Sequence, residues 1–285
     1  MMCLKSVVLC FKSVFLRWGV NVGISVVLAV KNEEPILKRC LDCVKWADEI
    51  VIVDNGSTDK TLEIARKYTK NVYSFNKAAL IPEIQQYGID KASQEWILVL
   101  DADVIVPAEA KEEILMKIGD PKSFGADPGI SGYYLHHQMI AFGRPMKHAL
   151  NCDILKLFKR RQGRFDSTGA HCVLTVSGKI GRIKSPLLHY SHPTLAHFIK
   201  KMNLYTSQDA EKIAKTGKGG LLNKQMKTIG IYNLVIEPFL YANYLYFAKK
   251  YLLDGIYGLM LSIIMGFYLF VERAKALELK IKARQ

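Results

Sequence analysis

The chain has 285 residues and a formal net charge of +14, with half of its residues hydrophobic and 23% charged. That balance excludes a disordered polymer, and the length suits one large α/β domain with an appendage rather than two full-sized domains. Residues 144–228 hold 17 basic and 4 acidic side chains, against 16 and 18 in residues 1–143, so one segment predicts an anionic partner (nucleic acid, acidic membrane or phosphorylated substrate) or a solvated basic surface.

Residues 1–22 form a basic apolar extension in which Cys-Leu-Lys-Ser-Val at 3–7 nearly recurs at 10–14. It reads as a short interfacial helix or as sequence upstream of the true start, and not as a secretory signal. Ile24–Val30 is a β-branched apolar run bounded by Gly23 and Asn32-Glu33-Glu34-Pro35, which predicts a buried strand. An amphipathic helix follows over 35–46. Its Cys40 and Cys43 have no second cysteine pair to complete a zinc site, so Cys40 is expected as a small core residue in a reduced, cytosolic protein. Ile50–Val53 is a second buried strand, Gly56 to Asp59 a capping turn, and the helix beyond it runs to Tyr68. A third strand at 72–75, a helix at 82–92, a fourth strand at 96–100 and a helix at 107–118 complete the alternation, which predicts a mainly parallel sheet covered by helices. Residues 119–190 read as mixed strands and 194–228 as a basic helical region. Ile229–Phe247 contains one charge, and Gly255–Val271 contains none. Both stand at the lower edge of membrane-spanning length. Gly258, Ser262 and Gly266 recur every four residues as a face for close helix packing. Lysines precede, separate and follow the two segments, which favours a re-entrant or interface-lying helical pair over a simple spanning hairpin.

In open α/β sheets ligands bind beyond the carboxyl ends of the strands, and acidic residues gather there: Asp54 after the second strand, Asp101 and Asp103 after the fourth. Two carboxylates one residue apart suit Mg²⁺ or Mn²⁺, which take their remaining ligands from water and phosphate. Asp54 can accept hydrogen bonds from a base or ribose, while Gly56 and the following helix allow an anion to approach closely.

Ile24-Ser-Val-Val-Leu-Ala-Val-Lys-Asn-Glu-Glu34, Trp46-Ala-Asp-Glu-Ile-Val-Ile-Val-Asp-Asn-Gly-Ser-Thr-Asp59 and Trp96-Ile-Leu-Val-Leu-Asp-Ala-Asp103 resemble family 2 glycosyltransferases of the GT-A fold, closest to the lipopolysaccharide-core glucosyltransferase type. The resemblance continues through 153–165, 188–191 and 247–258. It implies an inverting transferase with Ala29, Glu33, Asp54, Gly56 and Asp101 around the nucleotide sugar, Asp103 and Asp101 at a metal, and His189 either near the metal or diphosphate or simply a packed histidine. Two departures stand out. The family's lysine and asparagine before the fourth strand become Gln85 and Gln86, and a His-Glu pair offering a general base becomes His171-Cys172. Asp166 is then the candidate base, with Asp153 as its alternative.

The expected architecture is thus a GT-A-like α/β domain over 23–190, with a donor half at 23–106 and an acceptor half at 107–190. A basic helical region and membrane-associated helices follow over 191–285. The expected partners are a nucleotide-sugar donor, a lipid-linked or cell-surface glycan acceptor and the cytoplasmic face of a membrane. No nucleic acid is expected, since no recognised binding module carries the basic block. An inactive sugar-nucleotide-binding homologue is the alternative that Cys172 motivates. A nucleotidyltransferase is less favoured, because no glycine- and lysine-rich triphosphate loop follows the first strand.

Overall fold

The computed structural model describes residues 22–75, 81–119, 129–165, 174–226 and 228–283. Asp166, His171, Cys172 and all but the last residue of the 1–22 extension lie outside them. The chain divides into two compact units, one from Met1–Leu135 and Ile154–Pro186, the other from His136–Asp153 and Leu187–Gln285.

The first unit is built on buried β-branched strands. Strands β1 (Ile24–Val30), β2 (Glu49–Asp54), β3 (Val72–Ser74) and β4 (Trp96–Leu100) lie in the order β3-β2-β1-β4 and run parallel. Their side chains are apolar on both faces because helices cover the sheet: α1 (Leu37–Cys43), α2 (Thr61–Arg66), α3 (Ile81–Lys91) and α4 (Ala108–Ile118). The helix α3 packs on the sheet at Gly88, where a Cβ would stand 2.6 Å from Val27 Cγ1 and 3.0 Å from Val53 Cγ2. The core between them holds Val27, Val51, Ile89, Ile97, Val99 and Phe158.

The sheet is parallel only through β4. Beyond it the order continues β8 (Cys152–Lys159), β6 (Ile130–Ala141), β11 (Lys179–His192) and β5 (Val104–Ile105), with β7 (Arg144–Pro145) paired to β6. The β8 strand meets β4 antiparallel, with Leu98 opposite Leu157. A small hairpin, β9 (Gly163–Phe165) with β10 (Leu174–Val176), completes this part.

The second unit is mainly helical. The helix α5 (Leu195–Thr216) starts on Thr194, whose hydroxyl accepts the His197 N–H, and stops at Gly217 in the left-handed conformation. The expected helicity of 194–228 ends there, and β12 (Lys218–Gly219) and β13 (Lys224–Gln225) form a short hairpin. A helix over 231–248 follows, in which α6 (Glu237–Asn243) is flanked by π-helical turns at Tyr232–Ile236 and Tyr244–Ala248. Last comes α7 (Gly255–Lys282). The stretch Tyr251–Lys282 is long and apolar enough, by length and composition, to cross a membrane. Gly258, Ser262 and Gly266 are all buried as their spacing predicts, and a Cβ on Gly266 would lie 2.8 Å from the Pro238 carbonyl. Residues 136–153 belong to this unit because Met139, Ala141, Met146 and Ala149 pack with Phe198, Leu245, Tyr251 and Leu261. The segment expected as an acceptor half, 107–190, is therefore divided between the two units.

Polar groups are buried along α7. Glu272 is fully buried, and one carboxylate oxygen accepts the Leu221 N–H at 2.7 Å while the other has no hydrogen-bond donor among the described residues. Burial pushes this carboxyl up to about 7, from 4.5 in an unfolded chain. Between those values the unfolded chain has released a proton that the folded one retains, so stability falls as pH rises through the window and is constant above it. Glu272→Gln keeps the bond from Leu221 and removes the titration. Urea unfolding at pH 5 and pH 8 is expected to differ by roughly 2–3 kcal/mol less in the variant than in the parent; an unchanged difference would mean another group carries the slope.

Candidate functional site

Strand register brings the predicted residues of the first unit to one edge. Val30 pairs with Asp54 across β1 and β2, and Leu28 pairs with Leu100 across β1 and β4. Asp101 therefore leaves the sheet one residue past that pair, level with Ala29. β1 lies between β2 and β4, so this is the point where the strand order reverses and the carboxyl ends open a crevice.

The loop after β2 is organised by Asp54, which is 2% exposed. Its carboxylate accepts the N–H groups of Gly56 at 3.0 Å and Ser57 at 3.1 Å. Gly56 has φ +79° and nothing within 4 Å of where a Cβ would stand, so the position requires glycine for the turn and leaves open space beside it. The loop after β1 is tied to this one. Asn32 donates its N–H to Ser57 Oγ at 2.9 Å and accepts the Thr58 N–H at 2.8 Å, while Glu33 donates to Thr61 Oγ1 at 2.8 Å and Glu34 to Asp59 Oδ2 at 3.1 Å. Residues 56–59 turn as the sequence suggests, but the N-cap of α2 is Lys60, with no side-chain capping bond, and Asp59 accepts the Thr61 N–H at 3.0 Å. The buried Asp54 carboxylate proves to be the group that shapes the turn.

On the other side of β1, Asp101 begins the turn that Val104 closes by donating its N–H to the Asp101 carbonyl at 3.0 Å. One carboxylate oxygen of Asp101 accepts from Gln85 Nε2 at 3.2 Å, and the other pairs with Lys156 Nζ at 3.3 Å. The side chain of Lys156 is only 12% exposed. Sequence reasoning passed over Lys156 and noted Gln85 only as the loss of a cation. The available signal was one lysine inside the apolar run Ile154-Leu155-Lys156-Leu157-Phe158. That lysine supplies a cation beside Asp101, and Gln85 supplies an amide.

Cys40 is buried beneath this turn and donates its thiol to the Asp101 carbonyl at 3.7 Å. Its hydrogen bond with Cys43, its burial and the Asp103 and Asp101 carboxylates push the thiol well above its usual range, so it stays protonated. It is the core residue the helical pattern predicts.

Asp103 is half-buried in the same turn. Among the described residues no group of three or more His, Cys, Asp or Glu side chains is placed to hold a metal by itself. A hard cation that draws most of its oxygens from phosphate and water needs only one or two carboxylates. Asp101 and Asp103, one residue apart in this turn, fit that requirement. His189 lies on β11 in the second unit, edge-to-face with His137 at 5.7 Å between ring centroids. Asp153, also in the second unit, is held 2.8 Å from His136 Nδ1.

Residues 25–171 match the family described as Glycosyl transferase family 2. The lipopolysaccharide core biosynthesis glycosyltransferase LpsC of Rhizobium meliloti is 26% identical over 252 residues, covering 86% of this chain and 88% of that protein. An uncharacterized glycosyltransferase of Rickettsia typhi is 26% identical over 277 residues, covering 92% and 89%. A solved mannosyltransferase from Pyrobaculum calidifontis, in complex with GDP-mannose and Mn²⁺, gives a TM-score of 0.49 at 16% identity, covering 95% of this chain and 94% of that one.

Proposed function

The chain belongs to glycosyl transferase family 2, and from that premise we propose that it moves a sugar, with inversion, from a nucleotide donor to a lipid-linked or cell-surface glycan. The observation that carries the proposal is the single edge, at the carboxyl ends of β1, β2 and β4, that presents Asp54, Asp101 and Asp103. A lipopolysaccharide-core glycan is the favoured acceptor, since the name of the Rhizobium meliloti relative states that pathway.

In this reading Ala29, Glu33, Asp54 and Gly56 border the nucleotide, and Asp101 faces the ribose. Lys156 sits where a donor phosphate would be neutralised. Asp103 would hold Mg²⁺ or Mn²⁺, which when bound offsets the charge that develops on the departing nucleoside diphosphate. Inversion requires the acceptor hydroxyl to attack the anomeric carbon from the face opposite the nucleotide while a base takes its proton. Asp166 is the proposed base, in place of the glutamate expected where Cys172 stands. The donor half, 23–106, then binds the nucleotide and the following segment the acceptor, with the C-terminal helices associating with the cytoplasmic face of a membrane.

Full-length protein incubated with a panel of sugar nucleotides and Mg²⁺ or Mn²⁺ is expected to release nucleoside diphosphate from one of them. Release of pyrophosphate would instead indicate nucleotidyl transfer, and donor binding with no turnover on any acceptor would indicate an inactive homologue. Lys156→Met is expected to raise the donor KM by about 10-fold or more, the effect of losing one charge-assisted contact in a half-buried site. An unchanged KM would remove Lys156 from the donor site.

A further inference from the structure

The second unit exposes rows of large apolar side chains on its two C-terminal helices. Along 231–248, Ile231, Val235, Phe239 and Phe247 are 78%, 57%, 67% and 62% exposed. These positions recur about every four residues, and an α-helix would wind such a repeat around its axis by about 40° per step. The π-helical turns at Tyr232–Ile236 and Tyr244–Ala248 take up more residues per turn and hold the row on one side. On α7, Ile256, Ile263 and Phe267 are 71%, 59% and 52% exposed at ordinary helical spacing. Seven large apolar side chains this exposed on two helices are more than the single scattered residues an ordinary monomer surface carries.

Three observations identify what covers this surface. First, cations cluster at one end of it. At the turn between the helices Arg144, Lys147, Lys249 and Lys250 are exposed. The Asp254 carboxylate accepts the N–H groups of Lys147, His148 and Ala149, fixing that loop to the turn, and the Arg144 guanidinium lies 5.3 Å from the centre of the Tyr257 ring. At the far end Lys224 lies 5.8 Å from the Tyr232 ring and is paired with Glu237 at 3.1 Å, so the free cations of this surface, among the described residues, are those of the turn. Second, tyrosines with a polar tip and an apolar body accompany these cations, as at a membrane–water boundary. Third, the opposite side of α7 is occupied. Lys275 donates to Asn203, Thr206 and Ser207 of α5, and Tyr268 donates to Asp209, while Lys200, Glu211 and Lys215 of α5 are exposed. If α7 crossed a bilayer, α5 and its charges would be drawn into hydrocarbon.

We infer that this surface docks flat on an anionic lipid bilayer, with both helices lying in the interface plane and neither crossing it. The inference rests on the reading of the chain as a membrane-associated transferase and fixes the geometry of that association. The cations of the turn then meet headgroups of one leaflet, and the apolar rows enter only to side-chain depth.

The test uses the full chain with vesicles of phosphatidylcholine alone or with 30 mol% phosphatidylglycerol. Flotation is expected to be at least 10-fold stronger on the anionic vesicles, to fall by about 10-fold in Lys249→Glu with Lys250→Glu, and to be lost in Phe239→Glu with Phe267→Glu. Donor binding in solution should be unchanged in both variants, showing that they are folded. Depth is read with Ile231→Trp, Phe239→Trp and Phe247→Trp, which span about 24 Å of helix, using lipids brominated at different carbons. Equal, shallow quenching at all three supports the inference. Flotation with Phe239→Trp quenched at the bilayer centre and Ile231→Trp at its edge would overturn the in-plane geometry and leave membrane association standing. No flotation on either vesicle would overturn both. A dimer in vesicle-free ultracentrifugation, lost in the Phe239→Glu and Phe267→Glu variant, would assign the surface to a second copy.

Discussion

Asp103→Ala is expected to lower nucleoside diphosphate release by on the order of 10³-fold while leaving thermal unfolding unchanged. The expectation follows from two carboxylates set one residue apart just past the end of β4, where a hard cation needs only one or two protein oxygens. Asp101 accepts from Gln85 on one oxygen and pairs with Lys156 on the other, so its carboxylate is already oriented by protein groups. In the proposed reading Asp103 would hold the metal, and without it the charge on the leaving diphosphate would lose that cation. Two further measurements separate this from general damage. The affinity of the parent for nucleoside diphosphate should rise on adding Mn²⁺, and that of Asp103→Ala should not. Asp101→Asn should retain the metal response, because the amide can still accept from Gln85 and the lost partner is Lys156 rather than the cation. If Asp103→Ala kept its metal response and its rate, the turn would not be the metal site.

Glu237→Ala is expected to destabilise the second unit by about 3–5 kcal/mol. Glu237 accepts from Lys224 at 3.1 Å and pairs with the Arg273 guanidinium at 3.2 Å, and Arg273 is fully buried. Truncating the glutamate removes the nearest compensating carboxylate from a charge that cannot reach water. Removing both charges is different, because the cost of desolvating them disappears along with their attraction. Glu237→Leu combined with Arg273→Met should therefore recover most of the loss. Urea unfolding of the single and double variants in lipid-free buffer measures the contrast. A loss below about 1 kcal/mol in Glu237→Ala would show that Arg273 finds other compensation.

Much of the first unit was legible because its signals are local. Uninterrupted β-branched runs, proline and glycine boundaries and helical periodicity mark β1 to β4 and the helices between them to within a few residues. The long strands β6 and β11 were harder to see. Their 12 and 14 residues pass from one compact unit to the other, so no single alternation runs through His136, His137 and Gln138. The site was legible in outline, since acidic residues at strand ends announce themselves. What occupies the Asp101 carboxylate was not, because Lys156 reaches it through the antiparallel pairing of β4 with β8, between residues 55 apart in sequence. The four-residue rhythm of Ile231, Val235 and Phe239 reads as helix, but nothing in the residues alone separates an α-turn from a π-turn.

The cross-ties between the loops after β1 and β2 bear on how the donor is received. Asn32, Glu33 and Glu34 are bonded to Ser57, Thr58, Asp59 and Thr61, and Asn32 and Gly56 hold left-handed conformations that these bonds stabilise. The two loops thus form one preorganised platform whose ordering entropy is lost when the chain folds, not when a nucleotide arrives. If the donor binds here as proposed, its affinity on this side would be governed by contact chemistry rather than by loop closure. Nucleotide association should accordingly follow a single exponential phase that rises linearly with donor concentration, without the plateau that a rate-limiting rearrangement imposes.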